Sequence, residues 1–371
     1  MKIRPSLRLI VTLVLLGAAA TCEVVSQQGP TFLRPGLHLF AYVANAGDGT
    51  VTAVDLVNLA RAQTIAVGPD PGAVQADPTR KEIWGVSSGG YVWVIDAPTG
   101  KVARIPVGCQ PVSLAFSPRG HRAFALCPRS QTVVAIDSAL RRVTARGHTG
   151  RWPAVVTVAP NGKWVLTANR DDATLSILDA SSLRTLATLP VAAKPNSIVV
   201  LPDSSKALVG SATTNLVSVL RLKPPELITQ LDTGGRTNAL LMKPDGGEVY
   251  VLSPDTHGLT VINTQTNDVG DYLEIGDDPV TGAITRHGSL LYACDAADSR
   301  VVVVNLPYRE LLGSAPTGLD PVACALDPEE RMLLAVDQGS DDLAIIAREG
   351  PHLITLVPVG KEPDSLAVKL F

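Results

Sequence analysis

The chain repeats one unit eight times, and this period restricts its fold more than any other feature of the sequence. One marker is the end of an apolar stretch such as "VTAVD", which recurs at spacings of 41, 41 and then five times 42 residues. Its copies end at Asp55, Asp96, Asp137, Asp179, Arg221, Asn263, Asn305 and Ala347. A second marker, the "VGxxP" loop, recurs at Pro71, Pro111, Pro153, Pro195, Thr237, Pro279, Pro321 and Pro363. Two markers in constant register indicate tandem copies of one structural unit.

Each unit contains four short apolar stretches separated by turns. In one copy they run from "VSLAF" through the turn "SPRGH" to "RAFALC" and then "TVVAID", and another copy shows the fourth stretch as "VARIPVG". Proline presets the turn dihedral and glycine takes left-handed positions, so these segments are typical turns between strands. Four strands in this length match one blade of a β-propeller. A β-sandwich or solenoid is the alternative, but neither explains the two chain ends.

The two ends of the repeat region are complementary. The first unit begins at its second strand, "LFAYVAN", and the chain finishes with a first strand, "PDSLAVKLF", that has no unit after it. Joined, the two segments complete one blade and leave no open sheet edge. The sequence therefore predicts an all-β protein, an eight-bladed β-propeller of four-stranded antiparallel blades. The C-terminal strand completes the N-terminal blade, and residues 37–371 form a single propeller domain.

The first 22 residues have the layout of a signal peptide. Lys2, Arg4 and Arg8 precede or enter an apolar run over residues 9–16, and small residues follow. This run is short for a membrane span, which favours a signal peptide. An uncleaved N-terminal anchor is the alternative interpretation. We predict an exported protein, periplasmic or at the cell surface, with residues 23–36 as a polar leader or tether.

Cys22 directly follows "AAAT", close to where a bacterial lipoprotein would be cleaved and acylated. Lipidation of Cys22 would leave four of the five cysteines, an even number suited to an oxidising compartment. Plain cleavage after the alanines is the other possibility. The sequence predicts contact with a membrane only through such an N-terminal lipid anchor.

The charge of the chain argues against nucleic acid as a partner. Removal of the signal peptide with its three basic residues takes the formal charge from -3 to -6. A mildly acidic chain does not attract phosphate backbones. We expect a monomer whose partner is a protein or a small molecule of the cell envelope.

The repeats resemble those of the YVTN family of β-propellers. The segments "AYVANAGDGTVTAVD" and "WVLTANRDDATLSILD" match the strand-loop-strand core of that family, and "VGCQP" and "IGDDP" match its lead-in. The resemblance covers nearly the whole chain after the leader. It implies an exported or surface-layer protein, and it carries no catalytic residue onto this sequence because the family motif is structural. Many members have seven blades, so the eight units of this chain are a departure.

Two loops of every unit are predicted to meet at one mouth of the ring. The loop before the first strand and the loop after the second strand lie at the same end of one hairpin. In ring order from the composite blade, the residues before the proline position are Glu362, Asp70, Gln110, Trp152, Lys194, Arg236, Asp278 and Asp320. The residues that close the second strand are, in the same order, Asn45, Ser87, Cys127, Asn169, Ser211, Ser253, Asp295 and Asp337.

The charges at these positions segregate around the ring. Asp278, Asp295, Asp320, Asp337, Glu362 and Asp70 fall on four adjacent blades, and Lys194 and Arg236 fall on the opposite arc with Trp152. The pattern predicts a mouth that orients a small zwitterionic or anionic ligand, or that holds a cation such as Ca²⁺ at the carboxylates, with Asp278 and Asp320 as ligands. The alternative is that these are ordinary polar turn residues.

Motifs of common enzymes and cofactor sites are missing from the sequence. There is no GxSxG, HExxH, calcium-loop or CxxCH pattern, and the six histidines lack ligand spacing. We therefore predict a scaffold that binds a ligand or a protein in the envelope. One alternative is a hydrolase of small esters or lactones at the mouth. Another is a cofactor carrier of the haem d1 type, in which His148 would be the axial ligand.

The remaining cysteines allow one pairing prediction. Across the hairpin that turns near Arg119, Cys109 lies opposite Cys127, within the separation that a disulfide needs, and two free thiols are the alternative. Cys294 and Cys324 lie on neighbouring blades at different heights along their strands. We expect them to be buried thiols too far apart to bridge.

Overall fold

The computed structural model describes residues 38–371, and the regular structure in this range is entirely β-strand. Its strands form eight four-stranded antiparallel sheets. The innermost strand of each sheet contacts the innermost strands of both neighbours, which closes the sheets into a ring of blades. The predicted eight-bladed propeller is confirmed. Within these residues, no helix is long and apolar enough to span a bilayer.

The strand bounds follow the repeat, and within each blade the strands run in order from the central channel outward. Blades 1 to 4 consist of Pro363–Leu370, Leu39–Asn45, Thr50–Asp55 and Ala60–Ala66 (β32, β1, β2, β3); Pro71–Ala76, Glu82–Ser87, Tyr91–Asp96 and Val102–Pro106 (β4 to β7); Ser113–Phe116, Arg122–Cys127, Thr132–Asp137 and Arg142–His148 (β8 to β11); and Pro153–Val158, Trp164–Asn169, Thr174–Asp179 and Thr185–Pro190 (β12 to β15). Blades 5 to 8 consist of Pro195–Val200, Lys206–Ser211, Leu216–Leu222 and Pro225–Asp232 (β16 to β19); Ala239–Met242, Glu248–Ser253, Gly258–Asn263 and Asp268–Glu274 (β20 to β23); Pro279–Ile284, Leu290–Asp295, Arg300–Asn305 and Glu310–Pro316 (β24 to β27); and Pro321–Leu326, Met332–Asp337, Asp342–Ala347 and His352–Pro358 (β28 to β31).

The core of the molecule lies between the blades. Eight clusters of buried apolar side chains separate the eight pairs of neighbouring blades. The two middle strands of each blade contribute to the clusters on both sides, and this explains why they are almost continuously apolar. The outermost strands face solvent on one side and alternate more, as β11 shows.

The two chain ends meet in blade 1 as predicted. β1 pairs with β32 in a register that places Leu39 opposite Leu370. The Phe371 amide donates to the His38 carbonyl over 2.9 Å, and the Phe371 ring stacks on those of His38 and Phe40. The last strand therefore fixes the first strand of the described chain. The predicted leader, signal peptide and Cys22 lie outside the described residues.

The repeat markers locate strand ends closely. The third strand ends at the predicted residue in every blade except blade 5, where it ends one residue later, at Leu222. The innermost strand begins at the proline marker in six blades, and in blades 3 and 6 it begins two residues later. In blade 6, Thr237 occupies the proline position, and its amide bonds instead to the Ser211 carbonyl of blade 5.

Cys109 and Cys127 form the predicted disulfide, with their Cα atoms 6.0 Å apart. The bridge joins the lead-in loop of blade 3 to the end of β9, 18 residues away in sequence. A covalent link over a loop of this size restricts the unfolded chain. We expect reduction to lower the free energy of unfolding by about 3 kcal/mol, measured by urea denaturation with and without reductant. The Cys109→Ala/Cys127→Ala variant should lose the same amount and show no further response to reductant.

Cys294 and Cys324 are free thiols, as expected, but Cys324 is only partly buried and the two side chains lie in contact rather than far apart. Cys324 on β28 packs against the cluster that contains Cys294 on β25. Contact with the Cys324 thiol, together with burial, raises the pKa of Cys294 well above its ordinary value. In the observed register Cys294 lies opposite Thr281, whose equivalent in blade 8 is Ala323, so the two cysteines differ by only about one residue in height along their strands.

Candidate functional site

The residues that close the second strand of each blade are buried. Asp295 and Asp337, predicted at the mouth, are 1% and 0% exposed, and the equivalent asparagines, serines and Cys127 are also buried. Several of these side chains bond to the lead-in loop of their own blade, whereas Ser253 Oγ has no hydrogen-bond partner among the described residues. The Ser87 hydroxyl donates to the Pro69 carbonyl over 2.6 Å, and the Gly360 amide donates to Asn45 Oδ1 over 3.1 Å. This inner ring of side chains holds the mouth loops in place.

Asp295 and Asp337 carry out the same task with a carboxylate. Asp295 Oδ1 accepts from the Asp278 amide over 3.0 Å, and Asp337 Oδ2 accepts from the Gly318 amide over 2.9 Å. Burial, reinforced by the neighbouring Asp342 carboxylate, raises the pKa of Asp337 to about 8. A buried carboxylate whose ionisation is this unfavourable distinguishes blade 8 from the other blades.

The residues before the proline position form the exposed rim of the mouth. Asp70, Trp152, Lys194, Asp320 and Glu362 adopt left-handed backbone conformations there. A non-glycine residue with positive φ is strained, and this turn recurs because it directs each side chain into solvent at the rim. The two other charged positions differ. Arg236 has an ordinary φ, and Asp278 is half-buried with its Oδ1 accepting from Asn238 over 3.1 Å.

The basic arc predicted from the sequence is largely ion-paired. Lys194 Nζ lies 2.7 Å from Asp171, Arg236 pairs with Asp255, and Arg151 Nε donates to Asp172 over 2.5 Å. All three aspartates lie in loops after second strands, and sequence reasoning overlooked them. The positive field on this arc is therefore weaker than the basic residues alone suggest.

A cavity of about 630 Å³ opens at the mouth over blades 1 to 4. Prolines and aliphatic side chains line its wall, with the half-exposed Trp152 on one side. Its charged lining residues are Asp70, Asp364, Arg129 and Arg170. The structure thus brings two of the predicted site residues, Asp70 and Trp152, to one cavity. Gln110, the mouth residue of blade 3, lines it as well, whereas the mouth residues of blades 5 to 8 do not.

The two arginines of the cavity are available for a ligand. Arg129 and Arg170 form no ion pair or side-chain hydrogen bond with any residue in the range 38–371. Both are exposed and follow the second strands of blades 3 and 4. Unpaired guanidinium groups beside an indole ring favour a planar anionic group.

Asp364 lies on the opposite side of the cavity, as the second residue of β32. It sits over Gly72, where a Cβ atom would come within 3.0 Å of its Oδ2, and its Oδ1 accepts from Ser365 over 2.7 Å. Burial, and secondarily the Asp70 charge, raises the pKa of Asp364 to about 6. Ionisation of the Asp364 carboxyl group inside the cavity is therefore unfavourable. Carboxyl groups with raised pKa values are common in functional sites.

We expect Asp364→Asn to stabilise the protein above pH 6. An ordinary unfolded aspartate has a pKa near 3.9, so between about pH 4 and 6 the folded state keeps a proton that the unfolded state has lost. Stability attributable to this group therefore falls as pH rises through that window. Melting temperatures should show a gain for the variant at pH 8 and none at pH 4. An equal gain at both values would contradict the assignment.

The histidines do not converge on this cavity. His148 is the last residue of β11, on the outer side of blade 3, and does not line the cavity. His257 contacts Asp277 at 3.5 Å, but both side chains are more than half exposed. Among residues 38–371, no group of three or more His, Cys, Asp or Glu side chains is arranged to hold a metal ion.

No protein-family model matches the chain, and no curated protein matches it in sequence. Similarity is found instead among solved structures. Hydrazine synthase of Kuenenia stuttgartiensis aligns with a TM-score of 0.60 at 18% identity, over 75% of this chain and 95% of that chain.

Two further structures cover more of the chain. Dihydro-haem d1 dehydrogenase NirN, solved in complex with DHE, aligns with a TM-score of 0.73 at 17% identity, over 91% of this chain and 76% of that chain. A functionally unknown protein of Desulfotomaculum acetoxidans aligns with a TM-score of 0.61 at 16% identity, over 89% of this chain and 98% of that chain. At these identities the similarity shows the propeller fold alone.

Proposed function

We propose that this propeller is an exported binding scaffold and that the cavity over blades 1 to 4 binds a small zwitterionic or anionic ligand. One observation carries the proposal. Two unpaired arginines and an exposed tryptophan face two carboxylates across a single cavity of about 630 Å³. This volume is in the usual range for ligand pockets, and mixed apolar and charged linings are typical of them.

Each side of the cavity suits a different part of such a ligand. Arg129 and Arg170 would bind a carboxylate or phosphate through charge-assisted hydrogen bonds. Trp152 offers an apolar face for a ring or alkyl body. Asp70 and Asp364 would bind an ammonium group, and this contact would weaken below pH 6 as Asp364 takes up a proton.

Export and the N-terminal features are part of the same proposal. The Cys109–Cys127 disulfide supports an oxidising compartment. We propose that residues 1–22 direct export, that Cys22 is the acylation site, and that residues 23–36 tether a monomeric propeller to the envelope.

Four ligands that share one ring and differ in charge test the cavity. Indole-3-acetate is anionic, tryptophan zwitterionic, tryptamine cationic and indole neutral. Calorimetric titration at pH 7.5 should show tryptophan and indole-3-acetate binding about tenfold more tightly than indole, since a charge-assisted bond contributes about 1.5 kcal/mol or more. Binding of all four with equal affinity, or of none, would contradict the proposal.

Variants locate the binding to the cavity. Arg170→Ala should weaken indole-3-acetate binding about tenfold and leave indole unchanged, and Trp152→Ala should weaken both. Arg236→Ala is the matched control, because Arg236 is also an exposed rim arginine but pairs with Asp255 and lies outside the cavity. A loss of affinity in Arg236→Ala equal to that in Arg170→Ala would place binding elsewhere.

A second candidate function is hydrolysis of a small ester or lactone. The observation that favours it is the raised pKa of Asp364 inside the cavity, because a base with a pKa near 6 is suited to work at neutral pH. Turnover of phenyl acetate or a γ-lactone should then rise as pH increases through 6 and be lost in Asp364→Asn. Absence of turnover in the wild type would eliminate this function.

Cofactor carriage is the third candidate, favoured by the fold similarity to NirN over 91% of the chain. No histidine lines the cavity, so His148 is a poor candidate for an axial ligand there. If a tetrapyrrole occupies the cavity, titration with haem should shift the Soret band, and indole-3-acetate should compete with haem for binding. Haem that binds without competing would argue against this site.

A further inference from the structure

Seven of the eight blades have an equivalent residue pair in register at the mouth end of the two middle strands. The last residue of the second strand is paired in register with the first residue of the third strand, as in Asn45 with Thr50 and Asn169 with Thr174. The same place in blade 7 holds Asp295 and Arg300, and in blade 8 it holds Asp337 and Asp342. Differences among these pairs show what each blade supplies at this place.

In three of these blades the chain itself provides a hydrogen-bond donor. Asn45 Nδ2 donates to the Thr50 and Thr52 hydroxyl oxygens over 3.0 and 2.9 Å. The equivalent Asn169 Nδ2 bonds of blade 4 are 2.9 and 2.8 Å. In blade 7 the donor is a cation, because Arg300 Nε donates to Asp295 Oδ2 over 3.2 Å.

Blade 8 departs from this pattern. Both members of its pair are carboxylates, Asp337 and Asp342, which are 0% and 8% exposed. Oδ1 of each has no hydrogen-bond partner among the described residues. A buried carboxylate pair can avoid the cost of two unpartnered negative charges by sharing a proton or by binding a cation. Among the described residues no basic side chain pairs with either carboxylate, so a positive charge at this site would come from solution.

The backbone approaches the pair closely on one side, and one further hydroxyl oxygen lies beside it. Ala344 stands where blades 1 and 4 have the hydroxyl residues Thr52 and Ser176, so a side chain that would fill the space is shortened. Gly318 faces the pair, and a Cβ atom there would come within 2.5 Å of Asp342 Oδ1 and would also meet the Ser340 hydroxyl. The cradle thus lacks side chains on two sides and contains one hydroxyl.

We propose that Asp337 and Asp342 bind a hard divalent cation of the calcium type, with the Ser340 hydroxyl, backbone carbonyls and water as the remaining ligands. The ligand atoms are all oxygen, and two negative charges balance a divalent ion. Within residues 38–371, no third acidic, cysteine or histidine side chain joins the pair, so the affinity should be that of a weak extracellular site, with a Kd of about 0.1–1 mM. This pair belongs to the same acidic arc as Asp278 and Asp320, which the sequence pattern suggested as ligands and which stay a prediction.

The site would act on the mouth through the lead-in loop of blade 8. Asp337 Oδ2 accepts from the Gly318 amide, and the Leu319 amide donates to Ser340 Oγ over 2.8 Å. Both contacts fix the loop that ends at the exposed Asp320. Neither Asp337 nor Asp342 lines the cavity over blades 1 to 4, so this proposal does not rest on the ligand site proposed above.

The test uses the full chain freed of metal with EDTA and titrated with Ca²⁺ to about 10 mM at pH 7.5, well above the expected Kd. A ligand that binds only the folded state raises the melting temperature, and we expect a rise of about 3 °C or more with Ca²⁺ and a smaller rise with Mg²⁺. The double variant Asp337→Asn/Asp342→Thr recreates the pair of blades 1 and 4. It should fold, melt at or above the temperature of the metal-free wild type, and show no response to Ca²⁺.

The neighbouring Asp341→Asn variant is the control for a general loss of acidic charge, and its response to Ca²⁺ should equal that of the wild type. The proposal fails if the wild type does not respond, or if the double variant responds equally. It also fails if metal-free wild type gains stability as pH falls from 9 to 7 while Ca²⁺ has no effect, because the pair would then share a proton.

Discussion

A chain that ends at Glu362, lacking residues 363–371, will not form a stable propeller. The deletion removes β32, which pairs with β1 in blade 1 and also contacts the innermost strands of blades 2 and 8. One deletion therefore opens the ring on both sides of blade 1. Because β32 pairs with β1, the damage falls on residues more than three hundred positions away in sequence.

The expected loss is as large as the stability of an ordinary domain. Leu366 and Val368 pack against the cluster between blades 8 and 1, and Ala367 belongs to the cluster between blades 1 and 2. Burial of each large aliphatic side chain stabilises by about 1.5–3 kcal/mol, and the hydrogen bonds of the β1 ladder are lost as well. The sum approaches the roughly 5–15 kcal/mol that holds a typical domain folded.

Denaturation in urea with circular dichroism should show that the truncated chain has lost its cooperative transition. Addition of a synthetic peptide of residues 363–371 should restore it in a concentration-dependent way, whereas a scrambled peptide should not. Deletion of Phe371 alone, which removes the ring stacking with His38 and Phe40 and one backbone hydrogen bond to His38, should cost about 1–2 kcal/mol. A truncated chain with the wild-type midpoint and slope would contradict the closed ring.

Trp93→Ala will be the most destabilising point substitution in blade 2, by about 3–5 kcal/mol. The Trp93 side chain is fully buried in the cluster between blades 1 and 2, and its Nε1 donates to the Val86 carbonyl over 2.8 Å. Its ring lies against Gly85 of the adjacent strand, where any added Cβ atom would overlap the indole. Residue 85 must be glycine because the Trp93 indole occupies the space that a side chain at this position would need.

The two residues should therefore show strong energetic coupling. Gly85→Ala in the wild type should cost about 1–3 kcal/mol through overpacking, but in the Trp93→Ala background it should be neutral or stabilising. Gly270→Ala on the exposed strand β23 is the control, because its nearest contact is an ordinary 3.7 Å, and it should change stability by less than about 0.5 kcal/mol. Additive effects of Gly85→Ala and Trp93→Ala on the free energy of unfolding would contradict the contact between the two residues.

The repeat made most of the fold predictable. Every blade packs on its neighbours in the same way, so the same apolar and turn positions recur, and markers such as Asp55 and Pro71 locate strand ends to within a residue or two. The composite blade followed because "LFAYVAN" and "PDSLAVKLF" each lack the partner that the other provides. The Cys109–Cys127 pairing followed from the same hairpin register.

The site was less predictable because it depends on how the loops pack across the ring. Asp171 and Asp255 neutralise Lys194 and Arg236 through contacts between loops that a period does not reveal. Asp364 lies on the innermost strand, where the repeat predicts only a lining position, and its proximity to Asp70 follows from ring closure. The burial of Asp295 and Asp337 has a local signal, since the equivalent residues in other blades are mostly Asn or Ser, side chains suited to fixing a backbone loop.

A crystal of the protein soaked with tryptophan measures the central claim most directly. The account predicts electron density for the amino acid in the cavity over blades 1 to 4, with its ring against Trp152, its carboxylate facing Arg129 or Arg170, and its ammonium group facing Asp70 or Asp364. Density at another part of the ring, or an empty cavity at a tryptophan concentration that saturates binding in solution, would contradict it.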